Sequence, residues 1–403
     1  MSINLDRKTL PQLLLAGTVF LLYLPVGVMY AGLLLFIVAW LASAEFKTKW
    51  NTTRQSALFQ PIVAMLMVIA LNFVFLSQGN KAPWPALVHY LIFFFLLLFI
   101  SLGVGAWQQL AKKLFIRGAL FGATLFYLAR LGFLPDWEVF RSYAVYSGNK
   151  SIALSIFLAI AAAWLLNDLL SKDRSVQDDE GKTWLGVAGY CYIAVAELFL
   201  ATSRTGMLLF FVLSFLVLLP RIRMNLRGMV LIVSVPIVVG LTWQFSPHLR
   251  ERTLITVQSI VAFTQGEMVT GQGNRLQFVQ KTGEMILEKP ILGHGVGSWL
   301  EQYPSRARGL ETADMSTPHN DYLLYAAELG AFGLLALLLV IVTIFRIAIR
   351  AGGAQGTQLL VVAVALLIGA TFNAILRDWK FGLPMMMLLA VSLSDGSQRK
   401  QAV

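Results

Sequence analysis

The feature that most constrains this chain is a succession of apolar runs, each close to the length that carries a helix across about 30 Å of hydrocarbon. They fall near residues 11–24, 27–44, 56–77, 85–106, 114–131, 150–170, 184–202, 206–220, 229–245, 320–345, 357–376 and 381–394. Lipid offers no partner for an unpaired backbone amide, so each run is expected to be helical. The chain therefore reads as an all-α polytopic membrane protein of about 12 transmembrane helices, forming one integral membrane domain over residues 1–403. Composition agrees. The sequence is 57% hydrophobic and 13% charged, where a soluble domain carries about 25% charged residues.

The basic residues orient these runs. With the N-terminus inside, eighteen of the 32 Lys and Arg residues fall in alternate connections, among them Arg7, Lys8, Lys47, Lys112, Lys113, Arg221 and Arg350. The short connections on the opposite side hold seven: Lys81, Arg130, Arg141, Lys150, Arg204, Arg377 and Lys380. Such an excess marks the cytoplasmic side, so both termini are expected there. The same clustering explains the formal charge of +11 without nucleic acid, which is not expected as a partner. Ala42-Ser43-Ala44 imitates a signal-peptide cleavage site, but the preceding apolar stretch is too long for one signal core and contains Pro25. The lone cysteine, Cys191, permits no disulfide and no cysteine-based metal site.

One connection is long. Residues 246–318 form a large, mostly polar loop between the ninth and tenth runs, on the outer side, and loops of that length carry function. Within it, Leu276, Val279, Met285 and Ile286 recur at roughly helical spacing before Pro290, which predicts an amphipathic helix over 274–288 lying on the membrane surface. The following Gly293-His294-Gly295-Val296-Gly297 reads as a sharp turn, with phosphate cradling as its alternative. The loop ends in Ser316-Thr317-Pro318-His319-Asn320-Asp321. There Thr317 is the expected N-cap, Pro318 the first helical residue and Asp321 a favourable first-turn anion. His319 is then predicted on the first turn of a membrane helix, its imidazole kept neutral by free amides and the positive helix end. That state suits a general base, and a capping or headgroup-binding histidine is the alternative.

Arg204, in Ala201-Thr202-Ser203-Arg204-Thr205-Gly206, occupies an outer turn so tight that its guanidinium must lie near membrane depth. An arginine there is costly unless paired, for instance with Glu197 or Asp378, or used to bind an anion. Arg275 opens the amphipathic helix and Arg377 ends the eleventh run, so several forked cations suited to phosphate are expected on the outer face. The four histidines, His89, His248, His294 and His319, are far apart and no carboxylate cluster accompanies them, so no metal site is expected. Transport is the competing class, with Asp168 and Glu197 as its few membrane carboxylates.

These residues also carry a family likeness. His319-Asn320, the nine residues 321–329 and then Gly330-Ala331-Phe332-Gly333 resemble the H-[NSQ]-x9-G-x-x-G signature of bacterial O-antigen ligases. Ser203-Arg204-Thr205-Gly206 resembles that family's arginine-bearing turn, and Arg275 with Lys289-Pro290-Ile291-Leu292-Gly293-His294-Gly295 resembles its loop pattern. The resemblance implies a GT-C-type, metal-independent, inverting glycosyltransferase without cofactor, facing the periplasm from the inner membrane. Its donor would be O-antigen on undecaprenyl pyrophosphate and its acceptor a sugar hydroxyl of lipid A-core. His319 would be the catalytic base, Arg204 and Arg275 would bind the pyrophosphate, and Asn320, His294 and Arg377 would support them. An O-antigen polymerase, a protein O-oligosaccharyltransferase and a non-enzymatic lipid or polysaccharide transporter are the alternatives. Gly330 and Gly333 are expected to permit close packing rather than to touch substrate.

Overall fold

The structure, a computed structural model, describes residues 6–77, 79–80, 83–171, 180–221, 240, 243–244, 247–265 and 273–394. The described regular structure is helical throughout. It comprises α1 (Leu10–Phe20), α2 (Val26–Ala42), α3 (Phe46–Gln55), α4 (Phe59–Leu76), α5 (Pro83–Tyr90), α6 (Ile92–Ile100), α7 (Ala106–Arg130), α8 (Arg141–Ala144) and α9 (Asn149–Leu170). There follow α10 (Glu180–Val195), α11 (Arg204–Leu218), α12 (Pro247–Thr264), α13 (Asn274–Glu288), α14 (Ser298–Arg306), α15 (Asp321–Ala351), α16 (Gly353–Phe372) and α17 (Trp379–Ser392).

Among the described residues, six helical stretches are long and apolar enough to cross a membrane: Phe59–Leu76, Pro83–Ile100, Asn149–Leu170, Thr183–Leu200, Asp321–Ala351 and Gly353–Phe372. The pair α2 and α3, bent by 112°, makes a seventh candidate. The expected count of about twelve differs from this at three places. Leu10–Tyr23, Arg204–Leu218 and Trp379–Ser392 are apolar but short. The run expected at 114–131 is the continuation of α7, whose Lys112, Lys113, Arg117 and Arg130 make it too charged to qualify. The run at 229–245 lies outside the described residues except for 240, 243 and 244.

The helix at the centre is α9, apolar on every side and buried from Ser151 to Trp164. It is flanked by α7, α10, α11 and α16. Small residues set the close approaches: Gly118 and Gly122 of α7 receive the ring of Tyr23, which would lie 2.8 and 2.7 Å from a Cβ at those positions. At one end of α9, Asp168 accepts from Lys112 at 2.5 Å. Glu197, in a π-helical turn over Ala196–Leu200, accepts from the Ser155 hydroxyl. Both carboxylates named as transport candidates therefore have local partners.

One interlock fixes the loop to the bundle. Gly330 breaks α15 with φ 67° and ψ −161°, which frees carbonyls of the preceding turn. The glycine turn after α13 takes them: the His294 amide donates to Ala327 O at 3.0 Å and the Gly295 amide to Glu328 O at 2.9 Å. The Ala331 amide returns a bond to Pro290 O at 2.8 Å. Asn72 of α4 donates to Leu292 O at 2.9 Å and Glu328 O at 3.2 Å. A Cβ on Gly293 would sit 2.4 Å from Glu328 O, and one on Gly330 would sit 2.3 Å from Ile291 O. Only glycine allows the two backbones to meet, and both positions also hold positive φ. The turn at 293–297 is thus occupied by packing, not open for phosphate. Glu328 adds a side-chain clamp, accepting from Tyr90 at 2.7 Å and from the Trp299 amide at 3.3 Å.

Candidate functional site

The helix predicted in the loop forms over Asn274–Glu288. It rests on α14 and α15 rather than on a lipid surface alone. Phe278, Thr282 and Met285 are buried, and of the residues in the predicted apolar stripe Val279 is 53% exposed. Trp299 Nε1 donates to Thr282 Oγ1 at 3.0 Å, and Tyr303 stacks on Trp299 with ring centroids 4.3 Å apart. This small aromatic core gives the loop its own rigidity and holds Arg275 above the bundle.

Under α13 is a cavity of about 300 Å³, at the small end of the range of about 300–1,000 Å³ for ligand pockets. It brings together Arg204, Arg275 and His319, three residues spread over 115 positions in sequence. Its wall also includes Tyr146, Asn149, Thr205, Phe278 and Asn373. These five were not singled out in the sequence. The signal that could have found them is positional: Asn149, Thr205 and Asn373 are polar residues at the ends of apolar runs.

The architecture explains the sign of the cavity. Four helices begin on its wall: α9 at Gly148 and Asn149, α11 at Ser203 and Arg204, α13 at Asn274 and Arg275, and α15 just beyond His319. Each helix start carries a partial positive charge from its unshared amides. The lining contains two arginines and no carboxylate, so the space is built for an anion. Ser203 caps α11 by accepting from the Gly206 amide at 3.4 Å, and Asn373 donates to Thr205 Oγ1 at 3.2 Å, bracing the Arg204 turn from α16. Arg275 lies over the ring of Phe372 at 5.9 Å, a cation–π contact that holds the guanidinium at the rim. The carboxylates considered as partners for Arg204 are engaged locally, Glu197 with Ser155 and Asp378 with Asn149 at 2.6 Å.

His319 is placed differently from the sequence expectation. The N-cap of α15 is Asn320, whose Oδ1 accepts from the Leu323 amide at 2.9 Å, and the helix begins at Asp321. Thr317 accepts from the His319 amide at 3.1 Å instead of capping the helix, and Pro318 precedes the helix altogether. His319 therefore lies just before the cap with φ 50°, a left-handed conformation that a non-glycine residue holds at a cost. The reason is the side chain of Asn320, which satisfies the helix end better than Thr317 can from three residues upstream. The imidazole is half-buried against Phe278, ring centroids 5.6 Å apart. Its pKa is lowered from the ordinary 6.5, first by burial and then by Arg275 and Arg377. The direction matches a neutral base; the causes are burial and neighbouring cations rather than the helix end.

The three supporting residues separate. Asn320 is a cap that also donates to Thr371 O at 3.0 Å, tying α15 to α16. Arg377 is outside the cavity wall, donates to Ser316 O and so holds the segment that delivers His319. His294 is buried in the glycine turn with Nε2 2.8 Å from Met285 O and is not part of the cavity lining. Among the described residues, no group of three or more His, Cys, Asp or Glu side chains is arranged to hold a metal ion.

No curated protein matches the chain at a significant level. Residues 189–338 match a protein-family model described as O-antigen ligase. The matched segment includes Arg204, Arg275 and His319, and it ends beyond the Gly330 break that locks the loop to α15. Over that segment the chain is similar to the O-antigen ligase family.

Proposed function

We propose that this protein is an O-antigen ligase. It would transfer a glycan from undecaprenyl pyrophosphate to a sugar hydroxyl of lipid A-core, on the periplasmic face of the bacterial inner membrane, with a GT-C-type bundle of about twelve spans and both termini in the cytoplasm. The observation that carries the reading is the convergence of Arg204, Arg275 and His319 on one carboxylate-free cavity at the meeting of four helix starts.

In this mechanism Arg204 and Arg275 hold the pyrophosphate of the lipid-linked donor. The acceptor oxygen attacks the anomeric carbon from the side opposite the pyrophosphate, forming the new C–O bond as the old one breaks. Configuration at that carbon inverts. The leaving pyrophosphate gains negative charge, which the arginines and helix ends stabilise in a partly enclosed site. The acceptor proton passes to a ring nitrogen of His319, whose neutral form is favoured beforehand by burial and then by the neighbouring Arg275 and Arg377. Phe278 sets the imidazole plane, and Arg377 fixes the backbone behind it.

The test is a chromosomal deletion examined for smooth lipopolysaccharide. Loss of ligated O-antigen with full-length lipid-linked polymer still accumulating supports a ligase. Loss of the polymer itself supports a polymerase. Full ligation restored by His319→Ala or Arg204→Ala protein overturns the mechanism.

A further inference from the structure

Beside the cavity, on the same end of the bundle, a narrow apolar slot is lined by Leu24 and Met29 at the α1–α2 corner and by Leu154 and Phe157 of α9. Two lysines share it, Lys150 and Lys380. Neither forms an ion pair with a described carboxylate. Lys150 donates to Val139 O at 3.1 Å, leaving the remaining protons of its ammonium available. Asp378, two residues from Lys380, is committed elsewhere: its Oδ2 accepts from Asn149 at 2.6 Å and its Oδ1 from the Lys380 amide at 3.0 Å.

Lys150 is half-buried and Lys380 exposed at the mouth of an apolar floor, a pairing of positive charge and apolar surface that complements an anionic amphiphile. A free anion would not need the apolar floor. A neutral lipid would not need the lysines. An amphiphile with a phosphate above and acyl chains below satisfies both. The void beneath the lysines, about 20 Å³, is too small to swallow a chain, so an acyl chain would lie along the slot from the bilayer.

The slot and the cavity stand back to back. Asn149 lines the cavity, its neighbour Lys150 lines the slot, and Asn149 donates to Asp378, two residues from the slot's Lys380. A lipid held at the slot by its phosphate would sit next to the cavity, because Lys150 adjoins the cavity-lining Asn149. We infer that Lys150 and Lys380 form a second anion site, which binds the acylated, phosphate-bearing end of the acceptor glycolipid. The inference rests on the ligase reading for the identity of that lipid, and on the slot itself for its chemistry.

The site is tested by native mass spectrometry of the detergent-purified full chain with three probes: bis-phosphorylated lipid A, the same lipid enzymatically dephosphorylated, and phosphatidylglycerol. The wild-type protein should retain bis-phosphorylated lipid A at least about tenfold better than Lys150→Gln/Lys380→Gln, by the attraction of two lysines for an anionic lipid. Lys150→Arg/Lys380→Arg should restore retention, and an unchanged melting temperature separates lost binding from lost fold. Equal retention by the double glutamine variant, or of the dephosphorylated lipid, overturns the site. Equally effective competition by phosphatidylglycerol overturns its assignment to the acceptor. Expected binding with no glycan transfer by the wild-type protein would count against the ligase reading while the lipid site stands.

Discussion

The imidazole of His319 lies against the ring of Phe278, with centroids 5.6 Å apart and planes tilted by 58°. Phe278 is one helical turn from Arg275 on α13, so a single face of the loop helix presents the Arg275 guanidinium and buttresses the His319 ring. Phe278→Ala should lower the turnover rate by roughly ten- to hundredfold, the scale of a misplaced catalytic group. Phe278→Leu should recover part of the rate by restoring bulk. Single-turnover rates in proteoliposomes decide the matter; an unaltered rate for Phe278→Ala would show that His319 needs no support from the loop.

Arg377 acts on His319 at one remove, through charge and through Ser316. Burial, Arg275 and Arg377 together hold the His319 pKa below 6.5. The acidic limb of the activity profile should therefore fall below that value, since the neutral imidazole persists to lower pH. Arg377→Gln removes one positive neighbour, which favours the imidazolium and raises the pKa. Its acidic limb should move to higher pH, with less loss at pH 8 than at pH 6. An unshifted limb would mean that the titrating group is not His319.

The parts of this molecule that repeat along the chain were legible in its sequence, and the parts that depend on contacts were not. The loop helix over 274–288 was readable because its spacing and Pro290 act locally. Arg204 was readable as a charge out of place. The cap of α15 was misread because Thr317-Pro318 is as good a local start as Asn320, and only the bonds from Asn320 to Leu323 and Thr371 separate them. Asn149 and Asn373 were invisible because nothing in their neighbourhoods distinguishes a cavity wall from an ordinary helix end. The meaning of Gly330 was partly visible: close packing was expected, but its partner is a glycine turn rather than another helix.

That interlock makes a sharp prediction about stability. Gly330→Ala places a methyl 2.3 Å from Ile291 O at a backbone angle of φ 67°, and Gly293→Ala repeats the conflict from the other side. The left-handed backbone alone costs about 1–3 kcal/mol, and the clash adds to it. Both variants should melt well below the wild type in a thermal-shift assay. Gly283 lies inside α13 with nothing within 4 Å of its missing Cβ, so Gly283→Ala should be neutral or stabilising by about 0.5–1 kcal/mol. Equal melting of all three would remove the interlock as the loop's anchor.

Asn320 separates structure from chemistry. Its side chain caps α15 and ties it to α16, so Asn320→Ala should cost about 1 kcal/mol of stability. Asn320→Ser and Asn320→Asp keep a capping oxygen and should preserve both stability and most of the activity. A residue that instead oriented the imidazole or the sugar through its amide would lose activity in Asn320→Asp with stability intact. Measuring melting temperature and transfer rate on the same three proteins distinguishes the roles.

Arg204 and Arg275 hold the same cavity from different supports, one at the start of a bundle helix and one on the loop roof. If both fork onto a pyrophosphate, lysine at either position keeps the charge but loses the paired hydrogen bonds. Arg204→Lys and Arg275→Lys should each retain weak activity. The alanine variants should lose about 10²–10³-fold in turnover, the scale of removing one donor to a developing anion. Inhibition by added undecaprenyl pyrophosphate should weaken in all four, because the product presents the same anion to the same groups. Should Arg275 variants lose turnover yet keep full inhibition, the roof arginine would be acting on the transition state alone, and Arg204 would be the ground-state anchor of the donor.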